Sequence, residues 1–116
     1  ILIYRDVIIS TKLNLVKKIK GNSNLYLFCY SKFTSATIKI LKQKSKQITY
    51  IVDDNKNLLG KFFQKIKIIN TNKLIKDIKE KDFCITSNHR DITLKNINKN
   101  LISKGLKQKQ LVFFKY

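Results

Sequence analysis

Short apolar runs, each too brief to be anything but a strand, alternate along this chain with longer stretches in which apolar residues recur at helical spacing. That alternation is what most restricts the fold. Leu25-Tyr26-Leu27-Phe28-Cys29 and Phe83-Cys84-Ile85-Thr86-Ser87 have no polar/apolar alternation, as expected of strands buried on both faces of a parallel sheet. Between them, Phe33, Ala36, Thr37, Ile40 and Leu41 fall at i, i+3, i+4, i+7 and i+8, one stripe of a helix laid against a sheet. Strand, helix, strand in repetition implies parallel strands joined by crossovers.

The remaining segments extend the pattern. Residues 4 to 20 read as a helix, with Ile8, Ile9, Leu13, Val16 and Ile19 on one face and Lys17, Lys18 and Lys20 in the last turn, where the helix dipole favours cations. Residues 47 to 52 read as a strand that stops at the turn-forming cluster Asp53-Asp54-Asn55, and Gly60 marks a second turn. Lys65 to Ile69 reads as a short strand at a sheet edge with its lysines in water. Thr71 and Asn72 are candidate caps for a short helix carrying Leu74, Ile75 and Ile78. A helix from Arg90 to Lys104 turns Ile97, Leu101 and Ile102 inward and stops at Gly105, and Gln110 to Phe114 closes the sheet. The expectation is an α/β fold: a small, open, doubly wound parallel sheet of about five strands with helices on both faces. The N-terminal helix, residues 1 to 21, is either part of it or a connector, and residues 22 to 116 form the domain.

Composition narrows the function classes. With 116 residues the chain holds one domain, large enough to bury a core without metal or disulfide staples. No apolar run approaches the ~20 residues of a membrane span and nothing reads as a signal peptide, so a soluble, cytoplasmic protein without membrane contact is expected. The chain has no Met and begins with Ile, which suggests a piece of a longer protein whose other domains are its first partners. Lys+Arg 25 against Asp+Glu 7 gives a formal charge of +18. Lys, Asn and Ile, whose codons are rich in A and T, dominate throughout, so genome bias supplies much of that charge. Lys12, Lys17, Lys18 and Lys20, with Lys39, Lys42, Lys44 and Lys46, could form a stripe tracking phosphates near Phe113-Phe114 or Tyr116. With hardly any Arg for bidentate readout, the expectation is nucleic acid as a non-specific polyanion only.

Three segments carry a family resemblance. Leu27-Phe28-Cys29-Tyr30-Ser31-Lys32-Phe33-Thr34 is similar to a strand-turn "hFGAGxxT". Tyr50-Ile51-Val52-Asp53-Asp54-Asn55 with Gly60 is similar to "GFhDDNxxxxG". Asp82-Phe83-Cys84-Ile85-Thr86-Ser87-Asn88 with Lys104-Gly105 is similar to "DhhIhSS" and a closing "LxxxGh". In this order they resemble a Rossmann-like domain associated with nucleotide-sugar processing, found at the N-terminus of sugar acyltransferases and the C-terminus of sugar C-methyltransferases. The resemblance implies that residues 24 to 29 and 82 to 87 lie side by side, with a ligand outside their carboxyl ends. It implies a nucleotide- or nucleotide-sugar-binding or scaffolding module of surface-glycan metabolism, with catalysis in a neighbouring transferase domain.

Two loops would then face each other: Cys29, Tyr30, Ser31, Lys32, Phe33 and Thr34, and Ser87, Asn88, His89 and Arg90. Cations and helix N-termini suit phosphates, Tyr30 or Phe33 suits a base, and Asp53 suits a ribose hydroxyl. Turn capping explains Asp53 and Asp54 equally well. Cys29 and Ser31 stand where the family has glycine, which argues against tight NAD binding and leaves the cofactor unknown, because side chains there crowd a phosphate or forbid positive φ. His89 has no histidine partner and reads as a loop residue without catalytic role, and Cys29 and Cys84 read as core thiols rather than metal ligands. Two alternatives stand beside the binding module: a basic nucleic-acid-binding module, and a degenerate domain with a purely structural role.

Overall fold

The first strand, β1 (Leu25–Phe28), has a parallel partner on each edge, and every other element is arranged around it. A computed structural model of the chain describes Ile19 and residues 21 to 116; the helix expected over residues 4 to 20 lies outside the described residues, Ile19 apart. After β1 come helix α1 (Thr34–Gln43), β2 (Tyr50–Val52), β3 (Phe62–Phe63), β4 (Ile66–Ile69), helix α2 (Thr71–Asp77), β5 (Phe83–Asn88), helix α3 (Asp91–Ser103), a 3-10 turn (Gln108–Gln110) and β6 (Leu111–Lys115). They form one sheet in the order β3-β4-β2-β1-β5-β6, parallel throughout except for β3 against β4.

The period of two along each strand sorts the apolar side chains between two cores. Leu25 and Leu27, with Ile51, Ile68, Ile85, Val112 and Phe114, pack on one face against Ile38 and Leu41 of α1. Tyr26, with Val52, Ile69 and Cys84, packs on the other against Leu74 of α2 and Leu101 of α3. The sheet is therefore covered by helices on both faces, which is why its central strands β1 and β2 carry no charged residue.

Several elements differ from the sequence expectation. The sheet has six strands rather than about five, because Phe62-Phe63 pairs antiparallel with Lys67 and Ile66. A two-residue strand is too short to show a period. The β4 strand is consequently not the edge: β3 lies outside it. The linking turn, Gln64-Lys65, has both residues at positive φ (48° and 68°), the geometry of a type I′ hairpin, which favours Asn-Gly. The strand expected over residues 47 to 52 begins only at Tyr50; just before it, Thr49 bonds Leu25 through both its N–H and its hydroxyl. The cap of α2 is Asn70, whose side chain accepts the Lys73 N–H at 2.9 Å, rather than Thr71 or Asn72. On α1 Ala36 is exposed and Ile38 is buried in its place, and on α3 Ile102 remains 40% exposed while Leu101 is fully buried. Gly105 ends that helix at φ +112°, as its position in the sequence implied.

A polar knot closes the amino-terminal end of the sheet. The buried Asp82 carboxylate accepts the N–H of Asn24, which enters β1, and the N–H of Lys79, each at 2.9 Å. Gln110, also buried, donates to the Lys79 and Asp82 carbonyls and accepts the Lys107 N–H. β1, β5 and β6 thus share one set of hydrogen bonds at their starts. Asp82→Ala is expected to lower the unfolding free energy by about 2–3 kcal/mol, because two backbone donors lose a charged acceptor, and Asp82→Asn by less, since one acceptor oxygen survives. Urea midpoints of the three proteins check this order.

Candidate functional site

The order of the five parallel strands, numbered along the chain, is third, second, first, fourth, fifth. It reverses between β1 and β5, and the register pairs Phe28, the last residue of β1, with Thr86, so β5 runs two residues further, through Ser87 and Asn88, beside the β1 loop. Two successive loops diverge there, and a crevice at the carboxyl ends follows from topology alone.

The β1 loop is built without glycine. Cys29 turns the chain at φ +74° and donates its N–H to the Val52 carbonyl at 2.7 Å. The expectation that a side chain here forbids positive φ is therefore corrected: Cys29 adopts it, at a cost of roughly 1–2 kcal/mol. Ser31 needs no such conformation, since it has negative φ. Its N–H goes to the Thr34 hydroxyl at 2.8 Å, and its own hydroxyl accepts the Phe33 N–H at 3.2 Å, a local motif that sets the start of α1.

Behind the loops lies a saturated hydroxyl cluster. The buried Thr37 hydroxyl is 2.7 Å from the Ser87 hydroxyl, 2.8 Å from the Tyr116 hydroxyl and 2.8 Å from the Phe33 carbonyl. A threonine has one proton and two lone pairs, so Thr37 donates to Phe33 and accepts from both partners. Tyr116 continues the closure: its ring stacks on Phe33 at 4.8 Å and 9°, and its N–H goes to the Asn88 carbonyl. Burial raises the Tyr116 phenol above its ordinary pKa. Neither Thr37 nor Tyr116 was expected at this site. The available signal was Thr37 itself, a polar residue in the inward stripe of α1.

Twelve residues were expected to contact a ligand, and they divide by what they already hold. Asp53 accepts the Tyr30 N–H on one oxygen and the Asn55 N–H on the other, both at 2.9 Å, so it fastens the β1 loop to the turn after β2. Asp54 turns toward α2, where it accepts the Thr71 N–H at 2.8 Å and the Thr71 hydroxyl at 2.7 Å. Ser31, Thr34, Phe33, Ser87 and Asn88 are engaged in the loop contacts above, Asn88 also accepting the Arg90 N–H. Of the two rings offered for a base, Phe33 carries Tyr116 and has the Lys32 ammonium 5.3 Å from its centre, whereas Tyr30 stays 39% exposed with its edge against Phe63. Tyr30, Lys32, His89 and Arg90 form the accessible set, with His89 5.6 Å from Phe33. Cys29 is half-buried beneath them.

The nucleic-acid alternative loses its aromatic platform. Phe114 is completely buried, Phe113 half-buried, and Tyr116 committed to Phe33, while Lys12, Lys17, Lys18 and Lys20 lie outside the described residues. Among the described residues no group of three His, Cys, Asp or Glu side chains could hold a metal ion, and no helix is long and apolar enough to cross a membrane. No protein family, curated protein or solved structure matches the chain.

Two titrations follow from these environments. Burial, reinforced by the Asp53 and Asp54 carboxylates, pushes the Cys29 thiol up to about 11, and burial pushes Cys84 up to about 12. Both thiols are therefore expected to resist iodoacetamide at neutral pH in the native protein and to react in urea, which mass spectrometry reads directly. The Asp54 carboxyl is held below its ordinary 3.8, first by the Thr71 N–H and against a smaller opposing effect of burial. A depressed carboxyl contributes stability above its unfolded pKa and loses it as pH falls through the folded one. Asp54→Asn should accordingly unfold more easily than wild type at pH 7 and show a smaller further loss on acidification to pH ~3, measured by urea midpoints at both.

Proposed function

We propose that this chain is a Rossmann-like, non-catalytic domain that binds a nucleotide or nucleotide sugar for a larger cytoplasmic protein of surface-glycan or nucleotide-sugar metabolism. The observation that carries this reading is the reversal of strand order between β1 and β5, with Tyr30, Lys32, His89 and Arg90 exposed beside it. Sheets of this order take ligands outside the carboxyl ends of the strands at that point. Helix α1 starts there, and its first backbone bond runs from Thr37 to Phe33, which leaves the N–H groups of Ser35 and Ala36 without a backbone acceptor among the described residues. Those donors and Lys32 suit a phosphate, Arg90 a second one, and the exposed Tyr30 ring a base. Asp53 serves by holding Tyr30 in place rather than by meeting a ribose.

The inventory suits binding more than chemistry. His89 has no acidic partner to orient it, and the half-buried thiol of Cys29 is poorly ionised at neutral pH. Group transfer in this reading belongs to another domain of the parent protein. A structural role is the second reading, favoured by one specific observation: the Phe33 ring, one of the two offered for a base, is already stacked on Tyr116.

A thermal-shift titration at ~150 mM salt, where exposed charges are screened beyond ~8 Å, separates the two. UDP, CMP and GDP sugars, NAD and S-adenosylmethionine are compared with pyrophosphate. A bound ligand at about a hundred times its dissociation constant adds ~2.7 kcal/mol. The binding reading expects one nucleotide sugar to stabilise the protein beyond pyrophosphate, and Lys32→Ala and Arg90→Ala each to weaken that effect. Equal melting with every nucleotide leaves the structural role.

A further inference from the structure

The amino-terminal ends of β2 and β4, at the opposite pole from the crevice, enclose a cavity of about 440 Å³, within the range of small-ligand sites. Its apolar lining comes from Ile38, Ile48 and Ile66. Its polar lining is almost uniformly cationic or amide: Lys42, Lys46, Lys65, Gln47 and Gln64, with Thr49. No carboxylate is found among the described residues that line it. Four ion pairs are formed among the described residues, by Lys73, Lys107, Lys109 and Lys115, and none involves these three lysines.

Three ammonium groups around one cavity repel one another, and solvent-facing helices would let them spread apart. Two features hold two of them in place. Lys46 is tied down by a hydrogen bond from its Nζ to the Ile19 carbonyl at 2.8 Å, which still leaves it two protons for another acceptor. Lys65 is carried by the tight β3-β4 turn, where it and Gln64 occupy left-handed backbone at φ 68° and 48° although neither is the Asn or Gly such a turn favours. A non-glycine residue in that region costs roughly 1–2 kcal/mol. The strain therefore places a cation and an amide at the cavity mouth where the cheaper turn would place neither a charge nor a long side chain.

We propose that this cavity is an anion site for a phosphate-bearing small molecule, a phosphomonoester or pyrophosphate group. Lys42, Lys46 and Lys65 supply the countercharge. Gln47, Gln64 and Thr49 provide uncharged donors, and the isoleucines offer a surface for an apolar part of the ligand. The site is independent of the carboxyl-end crevice, since it shares no residue with it.

Isothermal titration with sodium pyrophosphate at ~150 mM KCl tests the assignment on the whole chain. The double variant Lys42→Gln/Lys65→Gln is compared with Lys95→Gln/Lys99→Gln, which removes the same charge from exposed positions on α3. Circular dichroism confirms that both fold. The cavity variant should bind pyrophosphate at least ~10-fold more weakly, the loss of two charge-assisted hydrogen bonds, while the α3 variant changes by less than ~2-fold. Amide NMR shifts on titration should concentrate at residues 46 to 49 and 64 to 66. Equal weakening in both variants, or shifts spread over the surface, would overturn the site and leave a diffuse polyanion effect of the net charge. Lys32→Ala and Arg90→Ala should leave pyrophosphate binding at the cavity intact, so failure here and failure at the crevice are read separately.

Discussion

Everything in this molecule depends on β1 keeping its register with two parallel neighbours at once. Its four residues place Leu25 and Leu27 in one core and Tyr26 in the other, so a slip of one residue would exchange the two sets and bury neither correctly. Backbone ladders alone do not prevent such a slip in a strand this short. Side chains do: Thr49 and Asp82 accept the N–H groups of Leu25 and Asn24, pinning the start of β1 to β2 on one side and to β5 on the other. Asp53 pins the far end by accepting the Tyr30 N–H. The strand is held by three side-chain acceptors from its neighbours, and the position of the crevice follows from them.

The same polar residues that could serve a ligand are largely engaged in that fastening. Asp53, Ser31, Thr34, Ser87 and Asn88 each meet a backbone or hydroxyl partner within the loops, and the hydroxyl of Thr37 is saturated. What remains accessible is cationic or aromatic. Under the proposed binding role, a site of this composition would select a negatively charged, planar partner through charge and stacking, with little capacity to distinguish one hydroxyl pattern from another by hydrogen bonding.

Alternation of strand and helix, the burial of Leu25 to Leu27 and of Cys84 to Thr86, and the stop at Gly105 were all legible because each rests on a pattern within one element. The departures came from partners distant in sequence. Phe62-Phe63 becomes a strand only because β4 offers an edge. Thr71 is not the cap because it is already the first residue of α2, set there by Asp54 from 17 residues away, and the extended Asn70 before it takes the role. Ile38 is buried and Ala36 exposed because the sheet, not the stripe of α1 itself, decides which side of that stripe is covered. At the site, the loops were legible as a set of polar residues near two strand ends, but which of them would be consumed by Thr37 and Tyr116 depended on contacts spanning 50 and 79 positions.

Scarcity of glycine ties these observations together. The chain has three, and among the described residues four others take left-handed backbone: Cys29, Ser45, Gln64 and Lys65. A composition rich in Lys, Asn and Ile accounts for few glycines, but it does not account for which residues replace them. Asn is abundant here and tolerates this conformation better than any of the four. Had bias alone filled the turns, Asn would be expected at them. Instead, three of the four stand at the two candidate sites: Cys29 at the head of the loop that carries Lys32, and Gln64 and Lys65 at the basic cavity. Backbone strain that a common residue of the same chain would relieve, kept where charge converges, is more economically explained by the side chains it positions than by the composition that surrounds them.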